Sequence, residues 1–176
     1  LMRVFELSQK HGVSQNIRLK GLIRRSLHLI NDKFRRNREV NQSFMNILRS
    51  PKGVTETLRQ MHHLELLNRF IPELEHIYCK VQHDIYHIYT VDIHTLFAVE
   101  QAEKMLNGEL RNDLPFPCEV AAQIGKRELL ILAVLFHDIG KGEGGGHADK
   151  GAAMIPTIAR RLGLSREGSE RLAFLV

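Results

Sequence analysis

Apolar residues recur along most of the chain at steps of three and four residues, which is the spacing of one face of an α-helix. Over residues 17–34 such a stripe follows Ser14, an acceptable N-cap, and predicts an amphipathic helix of about five turns. Ser50 followed by Pro51 predicts the start of a shorter helix that runs to about Met61. No alternating pattern of strand length is present, so the sequence predicts an all-α fold.

The same spacing continues through the second half of the chain. Further helices are predicted over residues 64–70, 91–106 and 150–162, and from Arg166 onward with Ser165 as its cap. Another is predicted to start at residues 126–128 and to be stopped by Gly140 and Gly142. Residues 112–117 contain two prolines and are predicted to form a loop between two of these helices.

The helix that ends near Gly140 carries the strongest chemical signal. Eight consecutive apolar residues, 129–136, run directly into His137 and Asp138. An ionised carboxylate held against an apolar interior is costly unless a cation or several hydrogen bonds compensate it, and a bound metal ion is the simplest compensation. The apolar run is far shorter than the ~20 residues of a membrane-spanning helix, so it predicts a buried core helix that ends at a site.

Composition places the chain among folded globular proteins. With 176 residues, 43% of them hydrophobic and 26% charged, we expect one domain, or one domain with an appendage. No signal peptide or apolar segment of membrane length is present, which favours a cytoplasmic location. The chain begins at Leu1 and stops at Val176 within an apolar pattern, so we expect it to be a fragment of a longer protein.

Positive charge is concentrated near the start of the chain. Residues 1–50 contain eleven lysines and arginines against three acidic residues, a net charge of +8 in a chain whose total is +5. Such a segment raises nucleic acid or another anionic partner as candidates. A solvated basic helix face is the commoner cause, so nucleic acid is not the expected partner.

The ten histidines fall into two groups. We interpret five of them as surface residues without a function: His11, His28, His62, His63 and His76. His83 and His87 would share a face if their segment were helical. His94 is expected on the inner face of the helix over residues 91–106, where a hydrogen-bonded core histidine is the alternative to a metal ligand.

Two segments together carry a resemblance to a known family. HIYTVDIHTL, which contains His94, and AVLFHDIGKGEGGGH, which contains His137, Asp138, Lys141 and His147, resemble the HD superfamily of metal-dependent phosphohydrolases. Within it they are most similar to the bacterial bifunctional PII uridylyltransferase/uridylyl-removing enzymes. The upstream segment SFMNILRSPKGVTETLRQMHHLELLNRFIPE resembles the helical region that leads into the HD domain of that family, so the resemblance covers nearly the whole chain.

The resemblance implies a fold and a set of ligands. Residues 1–80 are expected to form the helical segment that leads into the HD domain, and residues 81–176 the N-terminal part of a truncated HD helical bundle. His94, His137 and Asp138 are implied as metal ligands, and His147 as a ligand of a second metal, with an exposed loop histidine as the alternative. The family takes a further aspartate from a downstream helix, which this chain does not reach. We therefore expect the isolated fragment to bind metal weakly and to be inactive.

The implied chemistry is hydrolysis of a phosphodiester. Imidazole and carboxylate ligands suit Mn²⁺ or Mg²⁺, with Fe²⁺ and Zn²⁺ as alternatives. His137, Asp138 and Lys141 are the implied catalytic residues, Lys141 by stabilising developing negative charge; a lysine that meets the helix dipole is an equal alternative. Asp92 and His87 match polar residues that orient the first ligand.

The family's reaction is removal of UMP from the uridylylated PII signal protein in nitrogen regulation. Its transferase domain and its glutamine-sensing ACT domains, with glutamine as effector, lie outside these residues. Two alternatives remain open: another HD phosphohydrolase acting on free or cyclic nucleotides, and a non-catalytic helical module that binds a partner through its basic first 50 residues.

Overall fold

A computed structural model of the chain describes residues 1–81, 89–141 and 146–176. Their α-helices are α1 (Met2–His11), α2 (Ile17–Arg25), α3 (Asp32–Arg35), α4 (Arg38–Arg49), α5 (Val54–His63), α6 (Leu66–Phe70), α7 (Val91–Leu106), α8 (Pro115–Ala122), α9 (Arg127–Phe136), α10 (His147–Leu162) and α11 (Arg166–Leu175). Two 3₁₀ helices cover Leu27–Leu29 and Pro72–Ile77. The described residues contain no strand, which confirms the all-α prediction.

The single helix predicted over residues 17–34 is wrong, because the chain there is broken into α2, a 3₁₀ turn and α3. Asn16, not Ser14, caps α2, and its side-chain oxygen accepts from the backbone N–H three residues on at 2.9 Å. Asn31 caps α3 in the same way at 3.0 Å. An asparagine that bonds the backbone locally favours a new helix start over continuation of the old helix.

The apolar stripe of this region still packs inward for most of its length. Ile23, Leu27 and Ile30 are buried in the core, as the spacing predicts. Ile17, at the start of the stripe, is 86% exposed and contributes no packing. The basic residues between these positions lie mostly on the solvent side.

Both predictions that rested on prolines need correction. The helix predicted from Pro51 begins at Val54, while Ser50 caps the end of α4 instead. Residues 112–117, predicted as a loop, contain the start of α8 at Pro115. Proline fits there because the first N–H groups of a helix have no partner within the helix, so losing one costs little.

The start of α5 is capped by a side chain from another helix. Its N-cap is Gly53, which has no side chain to accept the free N–H groups. The buried carboxylate of Glu103 on α7 accepts from Val54 N at 3.0 Å and from Thr55 N at 2.8 Å. A carboxylate at a helix N-terminus also meets the positive end of the helix dipole. The contact fixes α5 against α7, the helix that carries His94.

One hydrophobic core runs through the described residues, from Met2 to Leu172. Helix α4 contacts α1, α9 and α10, and α7 packs along α9. Helix α7 has the predicted bounds of 91–106, whereas α10 begins at His147, earlier than the predicted residue 150. The α7–α9 contact is the one that positions the site. Among the described helices, none has the length and apolar character that crossing a bilayer requires.

Candidate metal centre

Helices α7 and α9 bring together three side chains that are far apart in sequence. His94 lies in the first turns of α7, while His137 and Asp138 follow the last residue of α9 directly. One nitrogen or oxygen atom from each of the three lies within 4.8 Å of the others. No other group of three or more histidine, cysteine or acidic side chains with this geometry occurs in residues 1–81, 89–141 and 146–176.

Asp138 lies at the centre of this group. Its Oδ2 atom is 3.2 Å from His137 Nε2 and 3.9 Å from His94 Nε2, and the two imidazole rings are tilted with their centres 5.6 Å apart. The Asp138 side chain is only 6% exposed, compared with 34% for His137 and 45% for His94. The site is therefore closed behind the carboxylate and open to solvent on the side of the histidines.

A backbone contact orients the His137 ring. Its Nδ1 atom is 2.7 Å from the carbonyl oxygen of Val134, one turn earlier on α9. This distance assigns the proton to Nδ1, which donates to the carbonyl and leaves Nε2 to face Asp138. Metal-binding histidines in proteins are commonly held by this kind of second hydrogen bond.

Asp138 is held in its charged form. Burial by itself raises the pKa of this carboxyl, but His137 and Lys141 outweigh burial and lower the pKa to about 2. In turn the adjacent Asp138 carboxylate raises the pKa of His137, against the opposing effect of burial. The carboxylate is thus compensated by the neighbouring imidazole of His137 and the ammonium of Lys141.

The hydrogen bonding of the Asp138 carboxylate indicates whether a metal ion would fit at this centre. Asp138 Oδ2 is 2.8 Å from Lys141 Nζ, yet this buried oxygen has no hydrogen bond of acceptable angle. A buried oxygen that is close to cations but poorly hydrogen-bonded is a suitable ligand for a cation positioned between it and the two imidazoles. One carboxylate and two imidazole nitrogens suit a divalent metal ion, so the residues present fit the group that the sequence predicts.

The remaining predicted site residues differ in position. Lys141 lies directly on the carboxylate and is largely buried, and its catalytic role stays a prediction. His147 is exposed at the start of α10 and is not part of the group of three, so its role at a second metal also stays a prediction. His83 and His87 lie outside the described residues.

Gly140 brings the start of α10 against the HD motif. A Cβ atom at this position would lie 2.0 Å from the backbone oxygen of His147 and 2.7 Å from the backbone nitrogen of Gly151. Only glycine permits this approach, because backbone atoms of a helix cannot move aside as a flexible side chain does. The backbone of His147 therefore lies beside the motif although its side chain is exposed.

Asp92, predicted to orient a ligand, makes its hydrogen bonds elsewhere. Its Oδ2 atom is 2.8 Å from His62 Nε2 and accepts from Cys79 N at 2.9 Å. Burial raises the pKa of Asp92, but the bonds from His62 and the Cys79 N–H outweigh it and lower the pKa to about 2. The interpretation of His62 as a surface residue is wrong, since its side chain is only 14% exposed.

His76 was also interpreted as a surface residue, and this is wrong as well. It is half-buried, and its Nε2 atom lies 2.6 Å from the carbonyl oxygen of Ile139, inside the HD motif. His76 precedes Ile139 by 63 residues, and no local sequence pattern indicates a contact of that range. His62 and His76 thus support the segments on either side of the candidate centre.

An apolar groove of about 740 Å³ borders the centre. Its walls come from α7, α8 and α9 together with Leu175 of α11, and His137 forms part of its lining. Phe116 and Val120 of α8 line it and are exposed. The groove offers an apolar surface next to the polar cluster.

Comparison with known proteins relates both parts of the chain to one group of enzymes. Residues 1–70 match the family model described as uridylyltransferase GlnD third domain, and residues 91–176 match the HD domain model. A protein of Azospirillum brasilense is 39% identical over 176 residues, which cover all of this chain and 19% of that protein. One from Bordetella avium is 38% identical over all of this chain and 21% of its own length. One from Methylococcus capsulatus is 39% identical over 92% of this chain and 19% of its own length.

All three relatives are named bifunctional uridylyltransferase/uridylyl-removing enzyme. The chain spans about a fifth of the length of these curated relatives.

Proposed function

Because the chain belongs to the family of bifunctional uridylyltransferase/uridylyl-removing enzymes, we propose that it forms the hydrolytic part of such an enzyme. The reaction is hydrolysis of the phosphodiester that links UMP to a tyrosine of the PII signal protein. The observation that carries the proposal is the convergence of His94, His137 and Asp138 at the contact of α7 and α9. The proposal includes PII as substrate, glutamine as effector of a longer enzyme, and a cytoplasmic location.

His94, His137 and Asp138 are the residues that would hold a divalent cation, with Mn²⁺ or Mg²⁺ the first candidates. When bound, such an ion makes water more acidic and withdraws negative charge from the phosphoryl group, which together promote phosphodiester hydrolysis. The half-exposed histidines leave that side of the centre accessible to a substrate.

The chain's own residues prepare the centre for this chemistry. The Val134 carbonyl keeps Nε2 of His137 directed at Asp138, so the ligand nitrogen needs no reorientation. Lys141 neutralises Asp138 in the absence of a cation, and its ammonium is close enough to meet a phosphoryl oxygen at the same centre. An ammonium so placed would stabilise the charge that develops on that oxygen as the ester is cleaved.

The apolar groove supports a protein-linked aromatic ester as substrate. Its volume of about 740 Å³ exceeds the space that a nucleobase needs, and Phe116 leaves its outer end apolar and exposed. Since His137 lines the groove, a tyrosyl ring bound there would place its ester oxygen near the polar cluster.

The test uses a complete enzyme that contains this chain. His137→Ala and Asp138→Ala should abolish UMP release from uridylylated PII and leave transfer of UMP to PII largely intact, because the two reactions would use different domains. His28→Ala, an exposed histidine far from the centre in sequence, serves as the matched control. Equal loss of both activities would contradict the assignment, and faster hydrolysis of free or cyclic nucleotides than of uridylylated PII would favour the alternative HD activity.

A further inference from the structure

A cleft of about 350 Å³ lies between α3, the start of the Pro72–Ile77 helix and the last turns of α10. Arginines from two separate parts of the chain line it. The polar lining consists of Asp32, Arg35, Arg36, Thr157, Arg160 and Arg161. None of these residues belongs to the candidate metal centre, and Arg35 and Arg36 come from the basic segment that the proposed function leaves unexplained.

Two of the arginines are fixed by contacts within the protein. Arg35 donates to Asp32 Oδ1 at 2.9 Å and, through Nε, to the carbonyl oxygen of Arg69 at 2.8 Å. Arg161 makes a two-point contact with Glu73 at 2.9 and 2.6 Å. The Nε atom of Arg161 is buried and has no acceptor in the described part of the chain. These two residues form rigid walls of the cleft.

The other two arginines remain free to bind a ligand. Arg36 and Arg160 are exposed, and neither side chain has an ion-pair or hydrogen-bond partner within residues 1–81, 89–141 and 146–176. The cleft therefore has four guanidinium groups but only two carboxylates beside them, those of Asp32 and Glu73, among the described residues. Favourable interaction with the negative end of the α10 dipole would account for Arg160 but not for Arg36, which follows the single turn of α3.

We propose that this cleft binds the phosphate group of a small molecule. The planar guanidinium group matches two phosphate oxygens at once, and Arg36 and Arg160 would approach such a group from different elements of the fold. The Thr157 hydroxyl adds a donor. A volume of about 350 Å³ suits a small-molecule phosphate, not a nucleic-acid strand or a folded protein segment.

A ligand bound in this cleft would join the two parts of the chain that match different family models. Helix α3 lies within residues 1–70, and α10 lies within residues 91–176. Binding to the folded form alone stabilises it, so a phosphate ligand should stabilise the arrangement of these two parts.

The test measures binding of inorganic pyrophosphate to the chain of residues 1–176 by calorimetry, in buffer free of divalent metal. We expect one binding site, and about tenfold or greater weakening in the double variant Arg36→Gln, Arg160→Gln. The control Arg18→Gln, Lys33→Gln removes the same charge from exposed residues of the basic segment that do not line the cleft. It should change the affinity by less than about twofold, because only long-range charge is lost.

Four results would overturn the proposal. Absence of binding at millimolar pyrophosphate would do so, and equal weakening by both double variants would show general attraction to positive charge. Loss of binding in His137→Ala would place the ligand at the metal centre instead. A single-stranded oligonucleotide that binds more tightly than pyrophosphate, with a steep dependence on salt, would assign the arginines to nucleic acid. Arg36 and Arg160 are exposed, so melting temperatures equal to that of the unchanged protein should show that the variant folds.

Discussion

Replacing Gly140 with alanine tests how the HD motif is held against α10. The added Cβ would lie 2.0 Å from the His147 backbone oxygen, well inside the distance at which carbon and oxygen atoms repel. Both nearest groups, the His147 oxygen and the Gly151 nitrogen, are backbone atoms at the start of a helix. Relief of the clash therefore requires α10 or the motif to shift as a unit.

The size of the effect follows from this rigidity. Overpacking of a well-packed interior typically costs about 1–3 kcal/mol, and a clash with helix backbone belongs at the upper end of that range. We expect Gly140→Ala to lower the free energy of unfolding by about 3 kcal/mol. For a chain of this length that corresponds to a melting temperature lower by roughly 6–12 °C.

The assay is thermal and urea-induced unfolding followed by circular dichroism at the helical band. Gly125→Ala is the matched control, because a Cβ at that position meets no atom within 4 Å and the backbone there is not in the left-handed region. It should change stability by less than about 0.5 kcal/mol. If Gly140→Ala and Gly125→Ala unfold alike, the close approach of α10 to the motif is not as the structure has it.

Three further substitutions test other parts of the account. Leu27→Asp should lower the free energy of unfolding by about 3 kcal/mol, because it buries an unpaired charge. Ile17→Asp, at the exposed start of the same stripe, should have little effect. Equal effects of the two on urea unfolding would refute the packing of this region. Glu103→Ala should lower the free energy of unfolding by about 2–4 kcal/mol, since two buried N–H groups of α5 lose their acceptor. An unchanged midpoint of urea unfolding would refute the cap. Phe116→Ser should raise KM for uridylylated PII several-fold without changing kcat, because the groove binds the substrate. Phe174→Ser, at a more exposed phenylalanine that does not line the groove, should leave KM unchanged, and a similar effect of both would rule out the groove.

Sequence patterns predicted helices well where hydrophobic periodicity alone determines them. The bounds of α7 agree with the pattern because Asn107 and Gly108 end an uninterrupted apolar repeat. The stripe over residues 17–34 was misleading, because the same periodicity persists across the break that the Asn31 cap introduces. Periodicity reports which side of the chain is buried, and local capping bonds decide where the helix stops.

The sequence predicts the candidate site only where the residues that form it are close together in the chain. An apolar run that ends in His137 and Asp138 is visible in the sequence, whereas the support from His62 and His76 depends on partners 30 and 63 residues away. The Glu103 cap of α5 has the same character, since it joins residues 49 apart. Contacts of this range follow from packing of whole helices, which a single sequence does not encode in any short pattern.

The metal-dependence of UMP release most directly tests the claim that His94 completes a divalent-metal centre with His137 and Asp138. The measurement is the rate of UMP release from uridylylated PII by the complete enzyme as a function of Mn²⁺ concentration, for the unchanged protein and for His94→Ala. The account predicts no release without divalent metal, and for the variant an Mn²⁺ requirement higher by about tenfold or more, because one ligand is missing. Release at an unchanged rate in metal-free buffer, or an unchanged Mn²⁺ requirement in His94→Ala, would contradict it.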